Sequence, residues 1–316
     1  MRKYSSLFYV SMALMFLIVL NGCTIFRISL GEETLPLTER TISGEGMNKI
    51  LLLDISGFIS SEDSSSLLGT KKQLGMLALV REQLDRARSD KRVKALLLRI
   101  NSPGGGVTAS DTLYHEIKKF KQETGSKVLA HIMDTGTSGA YYAALAADRI
   151  TAQPTSVSGS IGVILLRFDA TGLMQKIGVQ AFEIASGEKK GMGSPFRQFS
   201  PEERIVLQAT IDSLYKRFVN IVAEERKLPI ESVKKLADGG IYTSEAAKAS
   251  GLIDDIVYLD EAVTQTKKLA DLDQASIVTY FRPGEYRANL YSVNLVNIDA
   301  GSMIQPGAAF MYLWWP

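Results

Sequence analysis

The tightest constraint on this chain is Val93–Ile100, a run in which only Lys94 and Arg99 are polar. A strand with one wet face alternates; a near-continuous apolar run marks a strand buried on both faces, and such strands belong to parallel sheets covered by helices. The loop Asn101–Ser–Pro–Gly–Gly–Gly106 ends the run. Thr108 with Asp111 then offers a capping box for a helix to about Lys121.

The same alternation recurs on both sides. Ile50–Ile55 reads as a strand, and Lys71–Arg88 has helical spacing, with Leu74, Leu77, Leu79, Val80 and Leu84 apolar and charges opposite. Lys127–Met133 is a third strand, followed by a Gly/Thr/Ser turn, an Ala-rich helix and a short strand around Arg149–Ala152. A Gly/Ser loop covers Ser158–Gly162, and Val163–Leu166, Gly172–Ile177 and Val179–Ile184 continue as strand, helix and strand. Ser200–Pro–Glu–Glu203 opens the longest helix, by capping box and Pro at the first position, with Ile205, Leu207, Ile211, Leu214, Phe218 and Ile221 on one side. A short helix follows Pro229, another is capped by Thr243 or Ser244 and closed by Gly251, and Asp260–Leu269 is the last. This pattern predicts an α/β core of mostly parallel strands. Beyond about Leu272 it weakens, and the apolar, aromatic end Phe310–Pro316 is of a kind that docks on a neighbour or on lipid.

The N-terminus predicts a targeting element. Arg2 and Lys3 precede an uncharged apolar run from about Leu7 to Leu20, short for a membrane span and suited to a secretory signal. Leu20–Asn–Gly–Cys23 resembles a bacterial lipoprotein box, and Cys23, the chain's sole cysteine, stands where lipid attachment needs a thiol. The alternative is an uncleaved signal anchor. Either way the body is expected to be exported and membrane-tethered, in the cell envelope on the extracytoplasmic side. Residues 1–22 would be the signal, 23–48 a tether, 49–271 the main domain and 272–316 an extension of unknown role. A formal net charge of +2, without a long basic run, excludes a nucleic-acid surface. One cysteine and two histidines leave no disulfide framework and no metal cluster.

The chemistry centres on the turn that carries Ser138. A hydroxyl at a strand-to-helix turn is either a cap or a nucleophile, with the Gly139 N–H beside it as an oxyanion donor. A glycine of the Asn101–Gly106 loop, Gly105 rather than Gly104, could supply the second donor. Serine needs a base. His131 alternates within an apolar strand and reads as a core residue, and His115 sits mid-helix among charges. A lysine of the loop Ser186–Gly–Glu–Lys–Lys–Gly191 can serve instead, and spacing does not choose between Lys189 and Lys190.

Four spaced stretches then coincide: Asn101–Ser–Pro–Gly–Gly, Thr137–Ser–Gly–Ala–Tyr–Tyr, Gly159–Ser–Ile–Gly–Val163 and Ser186–Gly–Glu–Lys–Lys. In that order, over about Lys49 to Leu269, they resemble the signal peptide peptidase A family, bacterial membrane-bound serine peptidases with a Ser/Lys dyad. The resemblance implies a Clp-protease/crotonase-like spiral of mostly parallel strands with flanking helices, here in a single-repeat form that assembles into a homo-oligomeric ring. It puts the nucleophile on Ser138, the general base on Lys190, the oxyanion donors on Gly139 and Gly105, and the lysine-orienting hydroxyl on Ser160. Ala140 departs from the family's second glycine after the nucleophile, and Ser244 from its glycine after Tyr–Thr. Remnant signal peptides and other extended peptides would be the substrates, with no cofactor. Rival readings are an acyl-CoA enzyme on the same fold, a stomatin-clipping peptidase, and a catalytically silent peptide-binding lipoprotein.

Overall fold

The structure is a computed structural model and describes residues 36–62, 64–65, 72–73, 75–282, 289–292 and 309–314. Cys23 and the N-terminal run lie outside the described residues. In chain order the elements begin with β1 (Thr38–Ser43), β2 (Lys49–Ser56), β3 (Ser64–Ser65), β4 (Lys72–Gln73), α1 (Met76–Ser89), β5 (Val93–Ser102), β6 (Gly104–Gly106) and α2 (Val107–Thr124). Next come β7 (Lys127–Thr137), α3 (Gly139–Ala144), β8 (Arg149–Ala152), β9 (Val157–Gly159), β10 (Ile164–Leu166), α4 (Thr171–Lys176) and α5 (Pro201–Arg226). The remainder is α6 (Ile230–Leu236), β11 (Ile241–Thr243), α7 (Ser244–Ala249), β12 (Asp255–Ile256), α8 (Leu259–Leu269), β13 (Ser276–Phe281) and β14 (Ala309–Leu313).

The main sheet runs β1-β13-β2-β5-β7-β8-β12, with β9 branching from β7 and β11 paired to β9. β13, β2, β5, β7, β8, β12 and β9 pair in parallel, and only β1 and β11 pair antiparallel. β5 lies at the centre and is buried on both faces, as its composition predicts. Leu96, Leu98 and Ile100 join the cluster under α1, α2 and α3, whereas Ala95 and Leu97 join the one under α8. Each fully buried leucine contributes about 1.5–3 kcal/mol, so the centre of this sheet is its most strongly held part.

Several local expectations change. The sheet draws strands from beyond 49–271: β1 falls in the stretch read as tether and β13 in the stretch read as extension. The capping box at Thr108 does not form, because the helix starts directly from Gly106, without a side-chain cap. Asp111 instead accepts from the Tyr142 hydroxyl at 2.6 Å and from Arg217 at 2.7 Å. The loop expected at Ser158–Gly162 begins as β9, clamped between β7 and β11. Val179–Ile184 is not a strand: it has no pairing partner among the described residues, and Phe182 and Ile184 are 87% and 101% exposed. The Ser200 capping box and Pro201 do start α5, but its first half stands away from the core, with Ile205 exposed and only Glu203 buried before Phe218.

Candidate active site

β7 runs into Thr137, the chain turns at Ser138, and α3 begins at Gly139. Ser138 takes φ 53°, ψ −116° while only 1% exposed. A serine in that region costs about 1–3 kcal/mol and persists only where its surroundings over-determine it. Here they do. The Ser138 N–H donates to the Gly159 carbonyl at 2.7 Å, the Tyr142 N–H donates to the Ser138 carbonyl at 2.9 Å, and every residue of α3 is buried. The described non-glycine residues with positive φ are Ser138, Ser160, Lys227 and Asp271; two of these are the serines that the sequence singles out. The Ser138 side chain does not cap α3 and makes no hydrogen bond among the described residues. Its strand-to-helix turn is the kind of sharp, strained corner that presents a nucleophile.

The glycine loop lies against this turn. β5 and β7 are in register at Ser102 and Gly136, and the Thr135 N–H donates to Asn101 Oδ1 at 3.1 Å, tying the two turns together. Ser102 Oγ accepts the Gly104 N–H at 3.1 Å. Ile59 takes the next positions, its N–H donating to the Gly104 carbonyl at 2.9 Å and its carbonyl accepting the Gly106 N–H at 3.0 Å. With the amides of Gly104 and Gly106 committed, Gly105 is the loop residue whose N–H faces away from Ile59. The backbones are so close that a Cβ on Gly104 would lie 2.7 Å from the Gly139 nitrogen, and one on Gly139 would lie 2.2 Å from Ser110 Oγ. Ser102 and Asn101 lie within a quoted motif that gave them no role of their own, and Ile59 lies in none. A short polar residue two positions before a glycine turn is the one sequence signal for the first of them.

Ser160 follows β9, which pairs Gly159 with Thr137, and this register sets it beside the Ser138 turn at φ 49°. Its N–H donates to the Gly240 carbonyl at 2.7 Å, and its hydroxyl makes no hydrogen bond among the described residues. His131 is wholly buried in β7, sharing a 2.9 Å hydrogen bond with Thr151 Oγ1, and burial pushes its pKa down to about 4. It stands seven residues up the strand from Ser138, on the order of 20 Å. His115 is exposed on α2.

The structure therefore brings Ser138, Gly139, Gly105 and Ser160 together within one chain. Lys190 makes no hydrogen bond to any of them. It lies in an exposed turn with its N–H on the Gly187 carbonyl at 3.0 Å, and its amine makes no hydrogen bond or ion pair among the described residues. Lys189 beside it is equally exposed. Among the described residues there is no group of His, Cys, Asp and Glu placed to hold a metal, and no helix long and apolar enough to cross a membrane.

Residues 120–273 match peptidase family S49. A candidate signal peptide peptidase SppA of Enterococcus faecium is 36% identical over 245 residues, spanning 77% of this chain and 70% of its own length. The chain belongs to peptidase family S49. A candidate protease of Methanocaldococcus jannaschii is 33% identical over 275 residues, covering 86% of each chain. The chloroplast serine protease SPPA of Arabidopsis thaliana is 33% identical over 63% of this chain and 29% of its own. Among solved structures, a ClpP1 mutant of Listeria monocytogenes has a TM-score of 0.44 at 18% identity, over 67% of this chain and 94% of that one, a likeness too slight to build on. Family membership makes this S49 protein a serine endopeptidase.

Proposed function

We propose that this S49 peptidase is an exported, membrane-tethered enzyme that cleaves remnant signal peptides and other extended or unfolded peptides through a Ser138 acyl-enzyme, with Lys190 as general base. The observation behind this reading is the strained, buried Ser138 turn with the Gly139 amide beside it and the glycine loop packed against it, its Gly105 N–H turned away from Ile59. The signal-like run and Cys23 support export and lipid anchoring in the cell envelope.

Ser138 Oγ attacks the peptide carbonyl while the Lys190 amine takes its proton. The tetrahedral oxygen is held by the N–H groups of Gly139 and Gly105, donors aimed where charge develops. The amide C–N bond breaks, the departing amine receives the proton from Lys190, and water attacks the acyl ester. Lys190 removes a proton from that water, and Ser138 leaves with a proton as the acid product is released. Ser160 would orient the lysine.

The exposed Lys190 turn lies in a segment whose apolar side chains are largely uncovered by the described residues: Phe168, Leu173, Ile177, Val179, Phe182 and Ile184 are all exposed. That supports a homo-oligomer in which each Ser138 meets Lys190 of a neighbouring copy. Hydrolysis of an unstructured peptide tests the assignment. Ser138→Ala and Lys190→Ala lose nearly all activity, and Lys189→Ala and His131→Ala keep most of it. A dead His131→Ala beside an active Lys190→Ala overturns the dyad.

A further inference from the structure

The turn that carries Lys190 is exposed, yet its backbone is fastened. The Lys190 N–H donates to the Gly187 carbonyl at 3.0 Å, the Met192 N–H to the Lys189 carbonyl at 3.2 Å and the Ser194 N–H to the Gly191 carbonyl at 3.1 Å. Bonds of this span close a turn on itself; they do not fix where it points. That task falls to side chains reaching in from either flank.

Arg197 is the nearer of them. Its Nε–H donates to the Gly191 carbonyl at 3.0 Å, one residue beyond Lys190. The same guanidinium forms an ion pair with Glu203 and lies 3.4 Å from the Glu183 carboxylate. A Cβ built on Gly191 would collide with that Glu183 carboxylate, which therefore lies directly against the turn. Hydrogen bonds from a guanidinium are charge-assisted, and its planar fork holds a carbonyl and two carboxylates in one arrangement that an ammonium does not fully reproduce.

Glu203 gives the clamp a fixed end. Its side chain is only 7% exposed, and a carboxylate that buried is costly unless paired. It is held by Arg197, by the Ser200 N–H at 3.4 Å in the capping box, and by the positive end of the α5 dipole. α5 is continuous to Arg226, and its second half is buried at Phe218, Val219 and Val222. The helix thus carries the hold on Gly191 back to the core. A second strap lies farther along. Arg167, just after β10, donates to the Ser194 and Arg197 carbonyls at 2.7 and 2.6 Å, with its guanidinium over the Phe199 ring at 5.0 Å.

We propose that Arg197 is a positioning residue for the reaction: clamped between Glu183 and Glu203, it aims the Lys190 turn so that the amine is presented in one geometry rather than many. The inference rests on the reading of Lys190 as general base. A reacting group misplaced by about 1 Å costs on the order of a hundredfold in rate, so the clamp acts on kcat and leaves peptide binding alone.

Peptide hydrolysis and sedimentation of the full chain test this with two variants. Arg197→Met keeps the side chain's bulk and removes the fork. It is expected to lower kcat roughly ten- to a hundredfold, with KM within about twofold of wild type and the assembled mass unchanged. Arg197→Lys, which keeps the charge, should recover part of the loss. In a Lys190→Ala background, Arg197→Met should change the residual rate by less than about twofold, because the group it aims is gone. Wild-type kcat in Arg197→Met, the same loss with and without Lys190, or a fall in assembled mass in step with kcat overturns the proposal. Lysyl endopeptidase separates the clamp from the base assignment, since nicking after Lys189 and Lys190 should be faster in Arg197→Met whatever the base. A fully active Lys190→Ala beside faster nicking removes the base assignment, and the positioning role with it, while leaving the clamp. Equal nicking of Arg197→Met and wild type refutes the clamp itself.

Discussion

The Ser138 turn and the Lys190 turn are built from opposite materials. Around Ser138 every neighbour is buried, two glycine-tight backbones touch, and a strained φ is held by β9 on one side and α3 on the other. Around Lys190 the chain runs without regular structure except α4, its apolar side chains face outward, and hydrogen bonds are mostly local turns. The first region is finished by its own chain; the second has the composition of a core and the exposure of a surface. An apolar segment in that condition is one whose cover comes from elsewhere. On the reading proposed above, nucleophile and oxyanion donors are preorganised, and the base would arrive with assembly.

Mutations separate these regions by size of effect. Ser138→Ala is expected to cost roughly 10⁴-fold or more in kcat, read by peptide hydrolysis, since a triad-type nucleophile lost alone costs nearly as much as the whole constellation. Lys190→Ala follows at about 10²–10⁴-fold, the worth of a general base, with Lys189→Ala close to wild type in the same assay. In the core, Leu98→Ala should lower unfolding free energy by about 2–5 kcal/mol in denaturant titration, from lost burial and a cavity between β5 and the helices above it.

His131 gives a pH signature of the buried half. Its folded pKa is pushed down to about 4 from the ordinary 6.5, so the unfolded chain binds that proton first as acid is added. Stability is therefore full above about pH 6.5 and falls by about 3 kcal/mol as pH drops to 4. His131→Gln should flatten that part of the stability profile, and an unchanged slope would remove His131 as its source. The smallest effect lies in the exposed arm. Phe182→Ser is expected to change the stability of the isolated subunit by no more than about 0.5 kcal/mol while lowering the assembled mass in sedimentation. A large stability loss there with assembly intact would erase the contrast between the two regions.

What could be read from the residues follows the same division. Val93–Ile100 announced a doubly buried strand because burial on both faces leaves no reason for alternation, and β5 is that strand. The Ser138–Gly139 turn and the Asn101–Gly106 loop stand out in the sequence because local turns encode them, by a glycine run, a strand end and a helix start, whereas Ser160 comes only with the family resemblance. Phe182 and Ile184 suggested a strand by composition alone, but a strand needs an edge, and none among the described residues pairs with it. β13 and β14 escaped for a related reason. Their hydrogen-bond partners, β2 and β6, lie far away in sequence, and no short window reports such pairing. The capping box at Thr108 failed because Asp111 is claimed by Tyr142 and Arg217, a tertiary demand that a four-residue pattern does not contain.

On the proposed reading, the half-site built by one chain at Ser138 is completed by Lys190 of another copy. Mixing Ser138→Ala with Lys190→Ala after separate purification tests it most directly. Each variant alone is inactive, and the mixture, allowed to exchange subunits, should recover peptide hydrolysis at sites that pair an intact serine with an intact lysine. A mixture that exchanges subunits yet stays as inactive as its components would contradict the account.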